Sequence, residues 1–113
     1  MRHKESISSE LLPGTLEMLI LKTLTRAPAH GYGIARQLEQ RSTDVLQVGE
    51  SSLYPALQRL LVNGWATAEW GETDRGRRAR FYRITPRGRK RLAAEAAAFE
   101  RVIGAIAAVM HAG

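Results

Sequence analysis

Between Arg75 and Arg91 the chain places nine lysine or arginine side chains and no acidic one, in the stretch RGRRARFYRITPRGRKR. The whole chain has 17 basic and 11 acidic side chains, a net charge of +6, so the other 96 residues hold eight basic against eleven acidic. The positive charge is therefore a patch, and a concentrated cationic field draws a protein to a phosphate backbone. Arg75, Arg77, Arg78 and Arg80 are interleaved with small residues, which keeps the segment thin enough to approach a nucleic-acid groove. The plain alternative is a solvated charged face; the lack of an interleaved carboxylate favours contact with phosphate or the minor groove.

A second polar set, Ser52, Tyr54, Gln58 and Arg59 with Asn63 at its edge, lies off the stripe made by Leu53, Leu57, Leu60 and Leu61. A glutamine amide matches the adenine edge and an arginine matches guanine, so Gln58 and Arg59 are the candidate base readers, Arg59 with phosphate as its other option. Ser52 and Tyr54 are placed to hold phosphate. The plain alternative is a solvated flank opposite a core stripe. Tyr32 either packs under the third helix or offers its hydroxyl to the backbone, with packing favoured. Arg87, Arg89, Lys90 and Arg91 either extend the basic patch or are solvated, since cations at a helix start oppose its dipole.

Catalytic chemistry finds no support. His3, His30 and His111 are scattered, there is no cysteine and no HExxH pattern, so no metal site is expected. Gly31-Tyr-Gly33 looks like part of a dinucleotide loop, but Arg36 stands at the third glycine position and no strand precedes it. Phosphate-loop and GxSxG signatures are absent as well. No cofactor and no catalytic residue is assigned.

The elements that must position these residues follow from apolar spacing. After a polar leader, Leu16, Leu19, Ile20 and Leu24 recur at helical steps, predicting a first helix that ends at Ala27-Pro28. Gly31 opens a short amphipathic second helix with Ile34, Ala35 and Leu38 inward. Ser42-Thr-Asp44 and Gly49-Glu50 mark the connection to a third, which Ser51 or Ser52 caps and Asn63-Gly64 ends. Trp65 to Trp70 and Arg80 to Ile84 read as two strands around a turn-rich tip, with both tryptophans, Tyr82 and Ile84 expected to pack. Thr85 caps, and Pro86 opens, a long final helix.

On that helix Leu92, Ala96, Phe99, Ile103, Ile106 and Met110 follow steps of 4, 3, 4, 3 and 4, the seam of two helices packing lengthwise. From Pro86 to Met110 it would run about 37 Å, more than a three-helix core covers. A second copy is the economical partner, and folding back on its own domain is the plain alternative. The order helix, helix, helix, basic hairpin predicts a mainly α fold with a small β-hairpin: a winged helix-turn-helix plus a long C-terminal dimerisation helix. The expected divisions are a leader over 1–10, a DNA-binding domain over 11–85 and the dimerisation helix over 86–113.

At 113 residues one modest core is expected. The absence of cysteine suits a reducing compartment, MRHKESISSE has no apolar region after it, and the apolar runs are too short to span a bilayer, so a cytoplasmic protein away from membranes is expected.

Four ordered segments sharpen this reading: Leu12-Pro-Gly-Thr-Leu-Glu-Met-Leu-Ile-Leu, His30-Gly-Tyr-Gly-Ile, Ser52-Leu-Tyr-Pro-Ala-Leu-Gln-Arg-Leu and Arg78-Ala-Arg-Phe-Tyr-Arg-Ile-Thr-Pro-Arg-Gly. Together they resemble the PadR-like family of bacterial transcriptional regulators, over about Leu12 to Leu92. The resemblance implies a homodimeric winged-helix protein that binds double-stranded DNA, usually a repressor, often of transporter or stress-response genes and sometimes released by a small molecule. It favours DNA contact for the third-helix set. The chain looks like the short form, with one C-terminal helix, so effector pockets of longer members do not carry over and any effector is of unknown identity. Two alternatives stay open: a small-molecule sensor with a pocket between the C-terminal helices gripped by Trp or Phe, and a winged helix that binds an acidic protein.

Overall fold

The computed structural model describes residues 14–113. The polar leader, and Leu12 and Pro13 of the first family segment, lie outside the described residues. Four helices and a small sheet follow in the order α1 (Thr15–Leu24), β1 (Ala29–His30), α2 (Gly31–Arg41), α3 (Glu50–Val62), β2 (Ala66–Glu72), β3 (Arg78–Ile84) and α4 (Pro86–Met110). The sheet is antiparallel with strand order β1-β3-β2.

One core joins all of these except the far part of α4. Ile20 and Leu21 of α1, Ile34 and Leu38 of α2, and Leu53, Ala56, Leu57 and Leu60 of α3 meet Ala66, Tyr82 and Ile84 of the sheet. The leucine stripe of the third helix is thus buried, with Ala56 completing it and Leu61 only half-buried.

The hairpin strands reach farther toward the tip than the sequence reading placed them, and other details differ as well. α1 stops at Leu24, short of Ala27-Pro28, because the chain tightens into a turn: the Thr25 amide donates to both Leu21 and Lys22 carbonyls, and its hydroxyl donates to Lys22 at 2.6 Å. α3 begins at Glu50 with Gly49 as its cap, two positions ahead of Ser51, which places the Glu50 carboxylate in the first turn where the helix dipole favours it. The hairpin is also part of a three-stranded sheet. β1 is two residues long and exists only through its pairing of Ala29 with Tyr82 and His30 with Phe81.

Short contacts hold the helices in register. His30 caps α2, its Nδ1 accepting from the Gly33 amide at 3.1 Å, and its ring stands edge-on to Phe81. Gly31 lets α3 approach: a Cβ there would lie 3.2 Å from the Tyr54 hydroxyl and 3.3 Å from its ring. Thr85 caps α4 as expected, accepting from the Gly88 amide at 2.9 Å, and its hydroxyl donates to the Gly64 carbonyl at 2.7 Å. The end of α3 and the start of α4 are thereby joined through one side chain. From Phe99 to the C-terminus every residue is exposed, so this outer part of α4 does not fold back over its own domain.

Candidate nucleic-acid interface

The exposed side of α3 follows from a rotation of about 100° per residue. With Leu53, Ala56, Leu57 and Leu60 inward, Ser51, Pro55, Gln58 and Val62 fall on the opposite line, and all four are exposed. Gln58, a candidate base reader, stands in the middle of that strip. Ser51, named from the sequence only as a candidate cap, and Pro55 and Val62 were not placed on this outward face; extending the leucine spacing by half a turn finds them.

Tyr54 lies on one flank, half in contact with α2 at Gly31. Together with Ser52 it borders an open groove of about 670 Å³ between α2 and the start of α3, which Tyr32 and Arg36 line from the other side. Packing was the favoured reading for Tyr32, yet its side chain is 66% exposed. The hydroxyl accepts from Arg36 Nη1 at 3.3 Å, and the guanidinium carbon sits 5.9 Å from the ring centre.

Arg59 departs most from its expected place. It lies on the opposite flank of α3 from Tyr54, and its Nε donates to the carboxylate of Glu17 on α1. Asn63 is exposed at the end of the helix, its side-chain amide donating to the Arg59 carbonyl at 2.8 Å. A shallow pocket of about 110 Å³ beside this pair is lined by Glu17, Arg59, Trp65, Arg91 and Glu95 among others. Arg91 is held there as well, paired with Glu95 at 2.7 Å and stacked 4.6 Å from the Trp65 ring centre. Of the two readings for the cations opening α4, Arg91 thus has local partners.

The register of the wing sorts its side chains. Ala66, Ala68, Trp70 and Glu72 of β2 face Ile84, Tyr82, Arg80 and Arg78 of β3 as direct cross-strand pairs, and directly opposed residues share a face of the sheet. At the root this face is core: Ala66, Tyr82 and Ile84 are buried. Past the core the same face continues as Trp70, Arg80 and Arg78. Arg78 lies 5.1 Å from the Trp70 ring centre and Arg80 5.9 Å from that of Tyr82. The expectation that Trp70 packs is overturned: it is 59% exposed, because the helical core ends before reaching it. Arg75 sits in the tip, where the Thr73 amide donates to the Arg77 carbonyl at 2.8 Å, and Arg77 follows it. Glu72 opposite Arg78 brings a carboxylate beside the patch that the linear reading of the basic run left out, yet among the described residues no wing arginine is ion-paired.

The proposed seam on α4 divides in two. Leu92 packs against the core and Ala96 is half-buried, whereas Phe99, Ile103, Ile106 and Met110 stand exposed, joined by Val102 and Val109. Neither tryptophan lies on this exposed stretch. Among the described residues no helix is long and apolar enough to cross a membrane, and no group of acidic or histidine side chains could hold a metal.

Two helices joined across a turn, a third behind them and a three-stranded sheet whose hairpin projects past the core define a winged helix-turn-helix. This is an architecture in which a helix is offered to the major groove. The model of the PadR-like family of transcriptional regulators matches residues 20–94, and the chain belongs to that family. It is a DNA-binding regulator. A transcriptional regulator from Clostridium thermocellum is 29% identical, with a TM-score of 0.75 over 82% of this chain and 90% of that one. A PadR family transcriptional regulator from Eggerthella lenta is 27% identical, with a TM-score of 0.76 over 95% and 91% of the two chains. An uncharacterised protein from Lysinibacillus sphaericus is 29% identical over 83 residues, 74% of this chain and 76% of that one.

Proposed function

We propose that the chain acts as a homodimeric repressor, each protomer laying α3 in the major groove of one half-site while the wing grips the neighbouring backbone or minor groove. In this reading residues 11–85 form the DNA-binding unit and 86–113 the dimerisation helix. Gln58 reads a base edge, Ser52 and Tyr54 hold phosphate beside it, and Arg75, Arg77, Arg78 and Arg80 neutralise the backbone. Arg59, expected from its position to read bases, instead supports α3 from behind through Glu17.

The observation that carries the proposal is the exposed strip of α3 with Gln58 in its middle, combined with wing arginines that have no acidic partner among the described residues. Between Ala66 and Ile84 five arginines stand against three carboxylates, and an excess of arginine on a projecting hairpin suits phosphate. The exposed apolar stretch of α4 supports the dimer. Phe99, Val102, Ile103, Ile106, Val109 and Met110 make a band that water disfavours, and a second copy covers it symmetrically. In this reading the two-fold related α3 helices meet successive major grooves, one turn of duplex or about 34 Å apart.

Footprinting on the DNA upstream of the protein's own gene, followed by transcription in vitro from that promoter, tests the proposal. Two protected half-sites related by a dyad and reduced transcript are expected. Protection without a dyad removes the dimeric reading, and increased transcript removes repression.

A further inference from the structure

Two stacks of guanidinium on ring stand side by side on one face of the wing: Arg78 over Trp70 and Arg80 over Tyr82. The strand register sets Trp70 directly opposite Arg80, and Glu72 opposite Arg78. Leaving the core along this face, one therefore meets Tyr82, then Arg80 with Trp70, then Arg78 with Glu72. Tyr82 is buried among the helices, whereas Trp70, Arg78 and Arg80 are exposed. The face is the one that packs on α3 at its root, so beyond the core it lies open on the side of the sheet that bears α3.

The chemistry of this open stretch narrows what can cover it. Apolar protein surface laid over Trp70 would take the flanking arginines out of water with no acid to pair them, which is costly. The backbone of a duplex meets both needs, because each anionic phosphate adjoins a deoxyribose with apolar edges, and proteins contact both. A guanidinium held over a ring spends none of its five N–H donors on that contact, and it loses less freedom when a phosphate arrives. Glu72, at the outer end, repels phosphate, which sets the backbone on the core side of that residue, over Trp70.

Resting on the DNA docking proposed above, we infer that Trp70 and Arg78 act on the duplex as one unit, the indole lying against a deoxyribose and holding Arg78 on the neighbouring phosphate. Trp70 is thus a backbone contact and a positioning residue, and it carries no choice of sequence.

The full-length dimer is titrated with a duplex of the footprinted upstream DNA, fluorescein-labelled for anisotropy and unlabelled for acrylamide quenching of tryptophan emission. Binding should shield the wild type from acrylamide. Trp70→Phe, which keeps only the half-buried Trp65, should show no such shielding. Trp70→Ala should weaken binding by about 2- to 5-fold, the scale of one exposed cation–π contact, on unrelated duplexes alike. Its salt slope should match the wild type because no charge is lost, and Trp70→Phe should restore most of the affinity by keeping a ring under Arg78. Adding Trp70→Ala to Arg78→Ala should cost less than it does in the wild type, whereas adding it to Arg83→Ala, on the other face of the wing opposite Thr67, should cost the full amount. Duplex bound with quenching unchanged, or losses at Trp70 and Arg78 that simply multiply, overturns this inference and leaves the DNA-binding reading standing. No duplex binding by the wild type even at low salt overturns both.

Discussion

Arg59 on α3 and Glu17 on α1, 42 residues apart in the chain, are bonded through the arginine Nε and one carboxylate oxygen. The glutamate is nearly buried and the arginine half exposed, so the pair fastens the proposed recognition helix to the helix behind it. Removing Arg59 leaves a carboxylate with little water and no partner. Arg59→Ala is expected to destabilise the fold by about 1 to 3 kcal/mol, and Arg59→Ala with Glu17→Gln by less, because the stranded charge is gone. Denaturant unfolding of the single and double variants checks this; equal loss in both would mean that the cost lies in packing.

Gly88 has no room for a side chain. A Cβ there would collide with the Trp65 carbonyl oxygen and lie 2.9 Å from Ile84 Cγ1. Backbone cannot move aside as a flexible side chain can, so Gly88→Ala should cost about 1 to 3 kcal/mol, despite the better helix propensity of alanine. Gly104, with open space around it, is the control: Gly104→Ala should be neutral or stabilising. Thermal unfolding of the two variants side by side decides the point.

Replacing Arg75, Arg77 and Arg78 by alanine should weaken binding to every duplex alike. If a dimer neutralises about 6 to 10 phosphates, wild-type affinity falls about 10³- to 10⁵-fold between roughly 50 and 200 mM salt, and the variant should show a flatter dependence. Titrations across that salt range measure both slopes. A variant that loses only its preferred sequence would place these arginines on bases instead of phosphate.

The apolar end of α4 should govern assembly without governing folding. Ile103 and Ile106 are about half exposed in the protomer, so Ile103→Asp with Ile106→Asp costs the isolated domain little. Sedimentation should show the double variant as a monomer with far weaker DNA binding. A double variant that remains dimeric would require a different interface.

Much of the local organisation was legible before any coordinates. Leucine spacing marked α3 and its buried side, Thr85-Pro86 marked the start of α4, and the 4-3 repeat marked one apolar line along that helix, which the structure divides into a core-packed start and an exposed outer part. Each of these signals lies within a few residues of chain, where backbone periodicity converts spacing into a face. The basic run stood out for the same reason, since its charge is contiguous.

The candidate interface was legible only in part. Gln58 fell where the leucine phase places it, but Arg59 is one step farther round the helix, near the boundary where either α1 or solvent can claim a long side chain. Trp70 looked like a packing residue by type and proved exposed because the core ends beneath it. β1 carried no pattern at all, being two residues defined by their partners on β3.

Residue type and spacing in this chain thus settled the four helices and the two hairpin strands, the apolar side of α3 and where the charge is concentrated. Only the folded arrangement decided that Glu17 takes Arg59, that the wing face passes from core to Trp70 and Arg78, and that Gly88 must admit a carbonyl. Those outcomes depend on groups distant in sequence arriving within a few ångströms, and linear spacing carries no record of that encounter.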